Sequence, residues 1–137
     1  MKIIGFNLTK ILIERDEKPK DKISINQDIN IKDILKEKIP ISDEDILKIK
    51  FKLSINYSDK YARLNFEGSL LILPEKDELE KFLNSWKDKK IPSEARMPLF
   101  NFIMNKCNIK ALYLEDEMGL PLHVPMPRIT QQNPESK

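Results

Sequence analysis

The sequence predicts an α+β fold: a four-stranded antiparallel sheet covered by one long helix, with a short helix and a C-terminal proline-rich extended segment beside it. Three observations lead there. From Leu47 to Tyr57 apolar and polar residues alternate without a break, the period of a strand with one buried face. From Leu99 to Met118 apolar residues recur at steps of three and four, the period of a helix face. After Gly119, the run LPLHVPMPRI carries three prolines, which exclude both a helix and an interior strand.

Taken in order, residues 3–14 read as a first strand. Ile4, Phe6 and Leu8 share one face, and Ile11 and Ile13 fall in the opposite phase, so a bulge or bend is expected between Leu8 and Ile11. Arg15 to Lys22 is a charged loop centred on Pro19. Ile23 to Ile31 is a second strand, with Gln27 interrupting its apolar face. Lys32 to Lys38 fits two helical turns or a continuation of that strand, and Pro40 ends either. Ile46 to Tyr57 and Tyr61 to Leu73 form a hairpin around the polar turn Ser58 to Lys60. Leu71 and Leu73 make the end of the last strand apolar on both sides, so a second chain is expected to cover it there.

Asp77 to Asp88 reads as a short amphipathic helix with Asp77 as cap, since Leu79, Phe82, Leu83 and Trp86 fall on one face. The long helix follows. Ser93 is placed to cap it, and Pro98 is expected to hold the regular part back to about Met97. Leu99, Ile103, Cys107, Ala111, Leu114 and Met118 form its buried face, widened by Phe100, Met104 and Leu112. Gly119 supplies the left-handed stop and Pro121 prevents resumption. Residues 1–130 are thus expected to form one domain, and 131–137, QQNPESK, a disordered tail.

Composition narrows the function classes. The chain has 137 residues, 34% charged and 40% hydrophobic, enough for one globular core. A net charge of +2 is too small to argue for nucleic acid by field alone. No apolar run is long enough to span a membrane, and the N-terminal residues lack a signal-peptide cleavage pattern, so a cytoplasmic protein is expected. Three glycines with abundant Lys, Glu and Ile would suit a thermophile.

Residues able to carry chemistry are few. Cys107 is the only cysteine and lies on the expected buried face, so an inert core thiol is expected. His123 is the only histidine, without neighbours at metal-ligand spacing, and base chemistry would need an orienting carboxylate. An enzyme built on either is the weakest reading; no cofactor or metal is expected. Glu115, Asp116 and Glu117 read as a solvated helix end, with a docking site for a basic partner as the alternative. Lys48, Lys50, Lys52 and Arg63 form a basic stripe on one hairpin face, able to meet RNA phosphates or simply solvated. Phe82, Trp86, Leu120, Leu122, Val124, Met126 and Ile129 are the candidate peptide-binding residues, as an apolar groove beside the proline segment. The alternatives are core for the two aromatics and a structural strap for the prolines.

Over about residues 4–129 the order of elements resembles the bacterial export chaperone SecB. Phe6-Asn7-Leu8-Thr9-Lys10-Ile11 is similar to that family's first strand, and Leu47 to Tyr57 with Ala62 to Ile72 to its central hairpin. Ile91-Pro92 and Arg96 resemble the start of its main helix; Gly119-Leu120-Pro121 and Pro127 resemble the turn and later proline that follow it. A short polar tail stands where family members have a last helix. The resemblance implies an ATP-independent holdase that binds unfolded or extended polypeptide, working as a dimer or tetramer. The alternative is an RNA- or ribosome-associated protein using the basic hairpin face.

Overall fold

The computed structural model describes residues 1–18, 21–127 and 129. Four antiparallel strands, β1 (Lys2–Arg15), β2 (Ile25–Lys38), β3 (Asp45–Tyr57) and β4 (Ala62–Leu73), pair in the order β1-β4-β3-β2. Helix α1 (Lys76–Trp86) and helix α2 (Ser93–Glu117) follow. This is the α+β arrangement expected, with β1 and β2 as the two edge strands.

The core lies between one sheet face and α2. Leu47, Ile49, Phe51, Leu53, Ile55 and Tyr57 on β3, with Leu64, Phe66, Leu70 and Ile72 on β4, are all buried. Each such side chain contributes roughly 1.5–3 kcal/mol on leaving water. On α2 the buried residues are Ala95, Leu99, Ile103, Cys107, Ala111 and Glu115, strictly four apart after the first. A step of four overshoots a turn by about 40°, so the contact line winds around the helix as it crosses the sheet. Met97, Ile109 and Tyr113 are left facing outward.

Three bulges set the strand phases. Between Leu8 and Lys10 the register slips at Thr9, whose hydroxyl donates to the Glu67 carbonyl at 3.2 Å. This is the bulge anticipated from the apolar pattern. A second lies between Ile3 and Gly5, and it corrects the reading of Ile4: Ile3 pairs with Ile72, and Ile4 is 42% exposed, off the face of Phe6 and Leu8. The third lies between Ile31 and Asp33, and beyond it β2 continues to Lys38 as strand, with Ile34 opposite Ile49. Gly68 sits opposite Leu8 on one side and Phe51 on the other. A Cβ there would stand 2.2 Å from the Asn7 carbonyl oxygen, so only glycine lets β1 approach. Across that gap the rings of Phe6 and Phe51 stack with centroids 5.7 Å apart.

The helix starts differ from expectation. For α1 the cap is Glu75, not Asp77: its backbone N–H donates to Glu78 Oε1 at 3.0 Å in a capping box. For α2 the N-cap is Pro92, not Ser93, and the helix is regular from Ser93 with Pro98 inside it. The exposed outer side at Pro98 leaves the unpaired carbonyl a turn earlier within reach of water. The C-terminus matches expectation. Gly119 takes φ +64°, its N–H donates to Asp116 O at 3.2 Å, and Leu120 N–H donates to Glu115 O at 2.8 Å. That pair of bonds is a Schellman motif.

Helix α1 lies across the sheet end. The Met1 ammonium is 2.8 Å from Glu78, and Trp86 Nε1 donates to Asp33 on β2 at 3.3 Å. Leu71 and Leu73 on the opposite sheet face are half-buried within this chain. No helix among the described residues is long and apolar enough to cross a membrane. Pro19 and residues 131–137 lie outside the described residues, and with them the loop centre and the tail.

Candidate polypeptide-binding site

At the C-terminal end of α2 a polar chain is sealed inside the protein. Glu115 is fully buried, which corrects its reading as part of a solvated acidic end; Asp116 and Glu117 are exposed. The Glu115 Oε1 atom accepts the His123 backbone N–H at 3.1 Å and lies 2.9 Å from Nδ1 of the same ring. Oε2, at the same 2.9 Å from Nδ1, is not aligned for a hydrogen bond of its own. The other ring nitrogen, Nε2, is 2.9 Å from Asn108 Oδ1, which also accepts from Gln27 Nε2 at 2.8 Å. Both ring nitrogens therefore have a side-chain oxygen at hydrogen-bond distance. Tyr57 O–H donates to the Pro121 carbonyl. Burial first, then the neighbouring Glu115 carboxylate, raise the Tyr57 phenol well above its usual range.

This network fastens the chain after Gly119. Gln27, the residue that broke the apolar face of β2, is one of its anchors, and Asn108, a poor helix former mid-helix, is another. Arg15 adds a tie from β1, donating to Met118 O at 2.8 Å. The carboxylate beside His123 gives it an orienting partner, yet the imidazole side chain is only 1% exposed and Asn108 holds its far nitrogen. The arrangement clamps the chain and presents no reactive nitrogen to solvent. Cys107 is equally enclosed, and burial pushes its thiol up to about 11.

The candidate peptide contacts divide along the same line. Phe82 is 1% exposed and Leu120 5%, both within the core. Leu122 and Val124 are half-buried beside the polar network. Met126 is 56% exposed and Ile129 fully so. Trp86, one turn after Phe82 on α1, is half-buried and reaches Asp33 on β2.

There, at the N-terminal end of α2, the sheet edge is open. A cleft of about 420 Å³ has Ile29 and Ile31 of β2 on one side and Trp86, Ile91 and Phe100 on the other. Lys89, Lys90 and Arg96 also line it, and no carboxylate does. Two of these cations sit on aromatic rings: Lys89 Nζ is 4.8 Å from the Trp86 centroid, and the Arg96 guanidinium 4.8 Å from that of Phe100. Among the described residues the strand β2 pairs only with β3, and Ile29 to Ile31 on it line this cleft. These cations are functional candidates that sequence reading passed over. The signal was Lys89-Lys90 between Trp86 and Ile91, with Arg96 two turns of chain away.

A larger cleft, about 910 Å³, opens at the hairpin end between Arg15, Tyr57, Tyr61 and Arg63. Arg63 Nε there is 3.1 Å from Glu14, and Arg15 donates to the Met118 carbonyl and lies 5.4 Å from the Tyr61 centroid; Asp16 and Lys60 also line it. The basic stripe is likewise interleaved with acids. Lys48 is 4.0 Å from Glu37, Lys52 faces Glu67 across the ladder, and Arg63 holds Glu14; Lys50 is exposed opposite Ser69. Among the described residues no cluster of His, Cys, Asp and Glu could hold a metal ion.

No family model matches the sequence, and no curated protein does. Among solved structures, the chain is similar to the Mycobacterium tuberculosis Rv1957 SecB-like chaperone in complex with a ChAD peptide from the Rv1956 HigA1 antitoxin. The TM-score is 0.50 at 13% sequence identity, covering 94% of this chain and 87% of that one. The fold is therefore SecB-like.

Proposed function

We propose that this protein is a non-enzymatic chaperone or protein-binding module that holds extended polypeptide without ATP, at the cleft between β2 and the start of α2. The observation that carries the reading is the β2 edge beside a cleft in which Ile29, Ile31, Trp86 and Phe100 stand among Lys89, Lys90 and Arg96. A bound chain can add a strand to such an edge through its backbone and place alternate side chains against Ile29, Ile31, Trp86 and Phe100. Burial of client side chains supplies the attraction. Met126 and Ile129 extend the apolar surface presented to a client. The SecB-like fold, seen in a chaperone complexed with a peptide, supports the same reading.

Assembly belongs to the proposal. Ile4 and Ile11 stand exposed at the free edge strand β1, and Met97, Ile109 and Tyr113 point outward from α2. A homodimer or tetramer in the cytoplasm would cover them. Light scattering is expected to give at least twice the monomer mass of 16.1 kDa.

The test of function is suppression of aggregation. At stoichiometric ratio the protein is expected to slow precipitation of a chemically unfolded client and to bind the dye ANS; neither effect would be seen if the reading is wrong. The RNA reading, through Lys48, Lys50, Lys52 and Arg63, predicts salt-sensitive binding lost on Lys50→Glu. The acid-interleaved stripe gives it less support.

A further inference from the structure

We infer that the β2 cleft selects polypeptide segments in which apolar residues alternate with carboxylates. The inference rests on the proposed reading of the cleft as a polypeptide site and adds its charge preference. The net charge of the whole chain is only +2, yet the lining of this one cleft holds three cations and no anion. Of the acids on β2 beside the lining, Asp33 accepts from Trp86 Nε1 at 3.3 Å and Asp28 accepts from Asn30 Nδ2 at 3.0 Å. Glu94, two residues before Arg96, is paired with Lys81 at 3.3 Å.

The geometry explains why the preference is for a mixed segment rather than for acid alone. Lys89 and Arg96 rest on the faces of Trp86 and Phe100, so each charge is held directly over an apolar wall. An extended ligand along Ile29 to Ile31 alternates its side chains between two faces. Apolar residues of the segment meet Ile29, Ile31, Trp86 and Phe100, and its carboxylates meet the exposed Lys89, Lys90 and Arg96 at the rim of the same cleft, where charge-assisted hydrogen bonds add to the contact. A segment rich in lysine would bring like charges together there and be rejected.

Trp86 is the only tryptophan, so its emission reports occupancy of this cleft and of no other surface. The probes are three short synthetic peptides on one scaffold, apolar residues alternating with Glu, Gln or Lys. Trp86 emission and peptide anisotropy are followed together. The Glu peptide is expected to bind about tenfold more tightly than the Gln peptide, a difference of about 1.4 kcal/mol, with the Lys peptide weakest and the gap closing at high salt. Arg96→Glu combined with Lys90→Glu is expected to abolish the preference, while Lys2→Glu, at the far sheet edge, leaves it unchanged. Should the double variant fail to give a native circular dichroism spectrum, Arg96→Gln is read instead, with the gap expected to narrow to about threefold. Equal binding of the Glu and Gln peptides, or equal damage from Lys2→Glu and the cleft variants, overturns the charge preference and leaves the polypeptide reading standing. If none of the three peptides binds by either signal, the polypeptide reading itself fails and this inference with it.

Discussion

At its C-terminal end α2 meets β2 through buried polar atoms, Asn108 against Gln27 at 2.8 Å; at its N-terminal end it leaves β2 uncovered, with Phe100 and Arg96 across a cleft from Ile29 and Ile31. One helix thus treats two neighbouring stretches of the same strand in opposite ways. The closed end uses hydrogen bonds of fixed direction, which position Glu115, His123 and the following chain and enclose their side chains. The open end uses apolar and aromatic surface without directional partners, which is what an exchangeable ligand needs. Rigidity at one end makes the exposure at the other tolerable, because the helix cannot simply settle onto the cleft.

Breaking the closed end should have the largest effect. His123→Ala leaves the fully buried Glu115 carboxylate without the ring nitrogen it contacts and opens a cavity, and is expected to cost about 3–5 kcal/mol. The urea midpoint would fall, with the slope unchanged if unfolding remains two-state. Glu115→Gln keeps an acceptor for the His123 backbone N–H and is expected to cost less, about 1–3 kcal/mol. At the open end Trp86→Ala should cost stability only modestly, about 1–2 kcal/mol for a half-buried ring, yet remove most client binding. Equal losses of stability from His123→Ala and Trp86→Ala would erase the distinction between the ends.

A pH dependence falls between these. The Cys107 thiol sits under the middle of α2, raised from 9.0 to about 11 by burial, and the Tyr57 phenol is raised also. A raised acid group keeps its proton in the folded chain after the unfolded chain has lost it. Above pH 9 the unfolded state therefore binds fewer protons, and stability falls as pH rises from there towards 11. Urea midpoints are expected to drop between pH 8 and pH 10.5, with a smaller drop in Cys107→Val. Disulfide-exchange reagents at pH 8 should label Cys107 only as fast as the protein opens. The smallest stability effect belongs to Arg96→Glu, expected within about 0.5 kcal/mol because the side chain is exposed.

Much of the closed architecture was legible in the chain, and the reasons are local. Leu47 to Tyr57 keeps one phase from end to end, so its strand and face follow from period alone. Gly119 before Pro121 marks a helix end by backbone preference, and the phase change between Leu8 and Ile11 located a bulge. Where a bulge fell among mixed residues, as at Lys32, the alternation was lost and β2 could not be traced beyond Ile31. Gln27 and Glu115 were harder still, since each departs from its local pattern for the sake of a distant partner. Asn108 is 81 residues from Gln27 in sequence, and an acid at a helix C-terminus reads as solvated until the histidine that bonds it is placed. The open site was half legible. Trp86 was recognisable as groove or core, but Phe82 and Leu120 turn inward, and the three cations gather only when the α1–α2 connection folds against β2.

The most direct test is amide hydrogen exchange on the full chain with and without an excess of an unfolded client. Added protection is expected at Ile29 to Ile31 and around Trp86 to Phe100, with the amides near Gln27 and Asn108 unchanged. Client binding that leaves β2 exchange untouched, or protects only the closed end, would contradict the account.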